Sequence, residues 1–341
     1  GILQVKIPSW RATKDISITE DLAEEVARIY GYDKIIGALP AFNIAPPAKN
    51  IMRELERKLG ETLVKELAYT EVYNYSFVSE RQIAKLKSDI SKYLELDNPL
   101  SAEKPFLRRS LLPNLLENIK ANLDNYQEIK IFETGKVFIV DDAGQRAEKN
   151  SNELLPHQGN RLIACYTNKK NSIPFWEARR AAEAIGEELG LSFEFHPVSN
   201  LHQYQHPARS ADIKCGENYI GCVCELHPGI AADFGLEARV GLLELNLDML
   251  SAQRRNAVSV KMLSEFPEVV RDIAFLANKD VSHEKIISVV SSVDPLIKEI
   301  ELFDVYEGKN VGAGYKSMAY RLTYSLPDRT LTATEVDAVQ S

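Results

Sequence analysis

The chain has 341 residues, 45% of them hydrophobic and 26% charged, which is enough for two or three domains with buried cores and excludes disorder as the main state. A net charge of −8 excludes a protein that coats nucleic acid or anionic membrane by bulk charge, while leaving room for a few placed contacts to RNA. No run reaches transmembrane length and the first residues lack the charged-then-apolar pattern of a signal peptide, so a soluble, cytoplasmic protein is expected.

Residues 1–39 read as a short extended piece, VKIPSW, a polar turn and one helix. Leu22, Val26, Ile29 and Tyr30 recur at helical spacing, Ser17 or Thr19 is a candidate N-cap, and Gly31 is a natural stop. So small a segment cannot fold alone and is expected to end a helical domain completed upstream. Four carboxylates, Asp15, Asp21, Glu24 and Glu25, stand just before and within this helix at spacings that let them converge on one side. Two readings follow from the residues. Acids suit a first helical turn and Arg28 can pair with Glu24, which favours a wet helix face; the other reading is a magnesium site.

Residues 40–50 carry three prolines and no periodicity and read as an extended linker. Residues 51–257 then open with a helix in which Met52, Leu55, Leu59, Leu63 and Leu67 line one side. TEVYNYSFV alternates as a strand with Tyr73, Tyr75 and Phe77 on one face. SLLPNLLENIKANLDNY is a second long helix and IKIFETGKVFIV a strand. Further strands are expected at RLIACY, LSFEFHPV, ADIKC, YIGCVCEL and VGLLELNL, with a helix over about residues 176–189. This order predicts an antiparallel sheet covered by helices on one side.

HPARSA reads as a structured loop, since Pro207 argues against a helix that would bring His202 and His206 together on a metal. Cys215, Cys222, Cys224 and His227 form a zinc set on paper, but the paired C-x-x-C knuckles are missing and free cysteines are most often simply buried. No G-x-S-x-G elbow, Walker-type loop or H-E-x-x-H is present.

Residues 262–341 run strand, helix, strand, strand, helix, a ferredoxin-like order in which a final strand is expected to follow. They hold 8 lysines and arginines against 13 aspartates and glutamates, a balance of −5, so there is no general electrostatic footprint for RNA. FDVY nevertheless puts Asp304 and Tyr306 on one side of a strand, where a ring can stack on an unpaired base and a carboxylate can accept from its edge.

In chain order, SWRATKDISITEDLAEEVARIYGYDKI, then NYSFV, LDNPLSAEKPFLRRSLLPNLLENIKAN, IFETGKVF and ELHPGIAADFGL, then FPEVVRDIAFLAN, LFDVYEG, GYKSMAYRLTYS and RTLTATEV together resemble the bacterial phenylalanyl-tRNA synthetase beta subunit. The resemblance spans essentially the whole chain and rests on several weak signals in the correct order. It implies an α+β fold: a class II synthetase-like antiparallel sheet with flanking helices over 51–257, followed by a ferredoxin-like βαββα(β) anticodon-binding domain, C-terminally truncated, over 262–341. It implies a catalytic alpha subunit as partner, an (αβ)2 tetramer that charges phenylalanine tRNA, ATP as a substrate bound mainly by the alpha subunit, and magnesium shared with that subunit. The family's D-x5-D-x2-E-E pattern for that ion falls on Asp15, Asp21, Glu24 and Glu25. The resemblance also assigns an anticodon base to Asp304 and Tyr306, with Arg271, Lys316 and Arg321 as helpers.

No catalytic residue is expected in this chain. A class II core holds ATP phosphates with an arginine on the strand written here IFETGKVF and with a second one after a Gly-rich turn, because phosphates need fixed, always-charged forks. Lys136 occupies the first position, and no GxGxxR-like stretch follows. The competing readings are a free-standing RNA-binding or scaffold protein with a degenerate synthetase fold, which leaves the Leu-rich core unexplained, and an active synthetase chain, against which the missing arginines count.

Overall fold

The computed structural model describes residues 3–13, 15–41, 45–146, 154–170, 173–253, 266–308 and 311–340. The chain divides into two compact units, Gly1–Arg254 and Arg255–Ser341. The expected boundary at residues 257–262 lies outside the described residues.

The first unit begins with helix α1 (Thr19–Tyr30), which buries none of its residues. Asn50 then caps α2 (Ile51–Lys65), accepting from the Arg53 amide at 3.0 Å. TEVYNYSFV is not one strand. It splits into β1 (Thr70–Glu71) and β2 (Phe77–Val78), which belong to different sheets, and between them Tyr73 and Tyr75 are 82% and 80% exposed. The Asn74 side chain turns in to donate to Glu133 at 2.7 Å, a tertiary contact that interrupts the strand.

Helix α3 (Glu80–Lys85), strand β3 (Phe106–Leu107) and helix α4 (Leu112–Asn122) follow, then the long strands β4 (Glu128–Arg146) and β5 (Leu154–Asn168). Helix α5 (Pro174–Leu189) starts two residues earlier than the spacing of Trp176 suggests, because proline is tolerated in a first helical turn. Strands β6 (Glu194–Pro197), β7 (Gln205–Cys215) and β8 (Asn218–Leu226), helix α6 (Pro228–Phe234), strand β9 (Val240–Asn246) and helix α7 (Leu247–Ser251) complete the unit. HPARSA is part of β7 rather than a loop, with a register shift between Gln205 and Ser210 that absorbs Pro207.

Seven strands form one sheet in the order β1-β4-β5-β9-β8-β7-β6, with β1 parallel to β4 and the other pairings antiparallel. Alternate residues serve two cores. Phe132, Leu162, Ala164, Val223, Leu243 and Leu245 pack with Leu59 and Leu63 of α2 and Ala181 and Ile185 of α5. Ile131, Ile163, Cys165, Cys224 and Leu242 pack on the other face with Leu112, Leu115, Leu116 and Ile119 of α4 and with Ile230 of α6. Helices therefore cover both faces, where the sequence suggested one, because the leucine stripe of α4 is wholly buried.

Gly241 is required where α5 meets β9: a Cβ there would run into the Pro174 carbonyl. The cysteines of β8 are core residues, and burial pushes the Cys224 thiol up. His227 instead caps α6, its Nδ1 accepting from the Gly229 amide at 3.0 Å.

In the second unit, strands β10 (Val269–Asn278), β11 (Ile297–Tyr306) and β12 (Tyr315–Tyr324) form an antiparallel sheet in the order β10-β12-β11, with helices α8 (His283–Ser291) and α9 (Ala333–Gln340). One face buries Met318, Tyr320, Leu322 and Tyr324 with Ile286 of α8 and Val336 of α9, and half-buried Phe275 packs against them. Thr332 and Glu335 make a reciprocal cap at the start of α9: the Thr332 amide donates to the Glu335 carboxylate at 2.9 Å and the Glu335 amide to the Thr332 hydroxyl at 3.4 Å. Among the described residues no helix is long and apolar enough to cross a membrane.

Candidate functional site

The face of the second sheet away from α8 and α9 carries the residues that FDVY pointed to. The pairing register sets out three transverse rows: Asp272, Arg321 and Glu301; Ala274, Ala319 and Asp304; Leu276, Ser317 and Tyr306. Asp304, Tyr306 and Arg321 therefore share this open face. Arg321 makes two bonds to Asp272, at 3.0 and 3.1 Å, and that hydrogen-bonded partner holds the Asp272 carboxyl below its ordinary range.

Arg271 and Lys316 are not with them. Both occupy register positions of the opposite, helix-facing side: Arg271 stands 3.7 Å from Asp337 of α9, and Lys316 donates to the carbonyls of Lys279 and Val281. The sequence reading missed Phe303. A register shift between Leu302 and Asp304 breaks the alternation, and Phe303 lies under Arg321, with the guanidinium carbon 5.3 Å from the ring centre.

In the first unit, Lys136 shares the α2 face of β4 with Phe132 and Thr134, is exposed and donates to Gln158 at 3.1 Å. On the α4 side of the sheet, among the described residues, Arg108 and Arg161 both serve the chain itself. Arg108 donates to the Glu133 carboxylate at 2.6 Å and to the Lys136 carbonyl at 3.0 Å. Arg161 donates to Asn246 and to the Asn160 carbonyl, each at 2.9 Å. Beside them the Tyr204 hydroxyl donates to Glu244 at 2.8 Å, and burial pushes that phenol well up. Glu133 was legible as an oddity, an acid inside an apolar strand run, but its partner lies 25 residues away.

Around α1 the carboxylates already have partners. Arg11 lies between Asp15, at 2.6 Å, and Glu25, at 2.8 Å, and its hydrogen bonds hold both carboxyls below their ordinary values. Asp21 accepts from the Ser17 and Ile18 amides at 2.7 and 3.0 Å, which lowers its pKa. Ile18 thus takes the N-cap position, where Ser17 or Thr19 was expected, because the cap is made by the N3 carboxylate. Arg28 pairs with Glu25 rather than Glu24, at 3.2 Å, and Glu24 is exposed. Among the described residues no group of three or more His, Cys, Asp or Glu side chains is arranged to hold a metal ion. As placed, this cluster does not fit magnesium, since an arginine and two amides occupy three of its carboxylates.

Comparison with known proteins adds to this geometry. Residues 35–247 match the family model for the phenylalanyl tRNA synthetase beta chain CLM domain. The chain belongs to the phenylalanyl-tRNA synthetase beta chain family. Residues 264–341 match the ferredoxin-fold anticodon binding domain and residues 1–32 the tRNA synthetase B5 domain. The phenylalanine–tRNA ligase beta subunit of Staphylococcus epidermidis is 32% identical over 343 residues, covering 99% of this chain and 42% of that protein. The corresponding subunit of Staphylococcus aureus MRSA252 is 31% identical over 344 residues, with coverage of 100% and 42%. The chain thus spans about two fifths of the length of the curated relatives it matches. Among solved structures, a pyrrolysyl-tRNA synthetase of Desulfitobacterium hafniense aligns with a TM-score of 0.47 and 18% identity, over 58% of this chain and 67% of that one.

Proposed function

We propose that this chain is part of a noncatalytic beta subunit of phenylalanine–tRNA ligase, which supports a catalytic alpha subunit and binds phenylalanine tRNA, anticodon included, during ATP-dependent aminoacylation. One observation carries the noncatalytic reading. Arg108 and Arg161, on the α4 side of the sheet, are bound to the chain's own carboxylate, amide and carbonyl groups, so among the described residues neither offers a free fork to a phosphate there. ATP falls to the alpha subunit, and the complex is an (αβ)2 tetramer in the cytoplasm.

Tyr73 and Tyr75 suit the alpha subunit as a docking surface. Both stand exposed, and Tyr73 lines a groove of about 1070 Å³ together with Met52, Arg57, Gly60, Val64 and Thr134. Asp304 and Tyr306 on the open face take an anticodon base with Arg321 beside them, while Arg271 and Lys316, held on the opposite side, make no contact with that base. Magnesium enters only in the complex: the half-site of Asp15, Asp21, Glu24 and Glu25 forms once Arg11 leaves Asp15 and Glu25. Calorimetric titration of the αβ complex with magnesium, wild type against Asp21→Asn with Glu25→Gln, tests that half-site; unchanged binding makes the cluster an exposed helix face.

The whole reading is tested by mixing this chain with a catalytic alpha subunit. Co-elution and phenylalanine charging dependent on both chains are expected, and failure to associate removes the reading.

A further inference from the structure

The open face of the second sheet has a shape that Asp304 and Tyr306 alone do not explain. Its middle row is floored by two small residues, Ala274 and Ala319, with Asp304 at the side. On one side of this floor stand Leu276 and Tyr306; on the other stand Arg321 and Phe303. Phe303 and Tyr306 are each 47% exposed and Leu276 is 61% exposed, so apolar rings flank a shallow trough open to solvent. Phe303 and Tyr306 stand three residues apart along β11, a span of about 10 Å at full extension. Two bases stacked between two rings need about 10 Å at the ~3.4 Å stacking interval, so the extended span between the rings matches two.

The charges decide what part of an RNA could enter. Arg321 is flanked in its own row by Asp272 and Glu301, and Asp304 lies in the next. With both oxygens of Asp272 on its fork, Arg321 is better placed to hold the Phe303 ring than to receive a phosphate. An acidic trough with aromatic ends repels phosphodiester and accepts base faces and base-edge donors.

We infer that Phe303, held in place by Arg321 and Asp272, is a second base-stacking position, so that the trough takes two adjacent unpaired bases of a tRNA loop, one against Phe303 and one against Tyr306. This rests on the reading that the open face meets tRNA. Arg321 is then a positioning residue, and neither it nor Asp272 touches the RNA backbone.

The test uses the full alpha–beta complex and measures the affinity for phenylalanine tRNA, and for its anticodon stem–loop with single abasic nucleotides in the loop, across a salt series. Phe303→Ala is expected to weaken binding about tenfold with an unchanged salt slope, the signature of a lost stack rather than a lost phosphate contact. Phe303→Leu, which keeps apolar bulk for folding, is expected to weaken it similarly, and Phe303→Tyr to retain it. One abasic position should cancel the Phe303→Ala effect and a neighbouring one the Tyr306→Ala effect. Asp272→Asn should weaken binding at constant slope; tighter binding with a steeper slope would make Arg321 a phosphate contact and overturn the inference. Loss with Tyr306→Ala but none with Phe303→Ala and Phe303→Leu overturns the second position and leaves the tRNA reading standing. No loss with any of the three overturns the tRNA reading itself.

Discussion

Arg108 and Glu133 form an ion pair at 2.6 Å with side chains only 4% and 2% exposed. Gly135 leaves room for the pair, since a Cβ there would run into the guanidinium. Arg108→Met should cost about 3–5 kcal/mol, because Glu133 would keep a buried charge with only Asn74 to hold it. Arg108→Met combined with Glu133→Leu should cost far less, since an apolar pair leaves nothing unsatisfied. Chemical denaturation of the three proteins checks this; a double variant at least as unstable as the single one would contradict it.

Gly241→Ala should destabilise the first unit by about 1–3 kcal/mol, because the added methyl meets the Pro174 backbone, which cannot swing aside as a side chain could. Pro174 starts α5, so the loss should appear as a lower denaturation midpoint of this unit and faster amide exchange in α5 and β9. Unaltered exchange would show that helix and strand can part freely.

The cap of α9 gives a pH dependence. Arg329 and Thr332 hold the Glu335 carboxyl down from its ordinary 4.5 to about 2. A carboxyl depressed in the folded state stabilises above its unfolded pKa and loses that contribution as pH falls toward its folded one. The start of α9 should therefore loosen between about pH 4.5 and 2. Glu335→Gln should flatten this part of the profile. Carboxyl resonances of Glu335 followed by NMR report it directly, and a midpoint near 4.5 would contradict the cap.

Gly308 sets the place of Tyr306. A Cβ at residue 308 would meet the Tyr306 phenol, the far end of a movable side chain. Gly308→Ala should therefore shift the Tyr306 ring resonances and lower tRNA affinity of the complex toward that of Tyr306→Ala, with little change in unfolding temperature. Unmoved ring resonances would contradict this.

Much of the fold was written in periodicity. The leucines of α2 and α4, the strands around VGLLELNL and the βαββα order each follow from spacing two or spacing three and four. What escaped did so for physical reasons. TEVYNYSFV alternates like a strand, yet the Asn74–Glu133 bond is a tertiary contact that no local pattern carries. Strict alternation places Leu302 with Asp304 and Tyr306, but Leu302 packs toward the helices while the other two face solvent, because the bulge resets the phase. Phe303 was lost to the same bulge. Arg271 and Lys316 fell on the wrong face because charge alone does not give strand parity. The acidic set near α1 was visible, but Arg11, which sits four residues before Asp15 in a polar turn, could not be placed without the fold.

The noncatalytic assignment is tested most directly by phenylalanine-dependent ATP–pyrophosphate exchange, measured on the isolated chain and again with the alpha subunit added. With Arg108 and Arg161 committed to internal partners, the isolated chain should give no exchange above background and the mixture should give it. Exchange by the isolated chain, abolished by Arg161→Ala, would contradict the assignment.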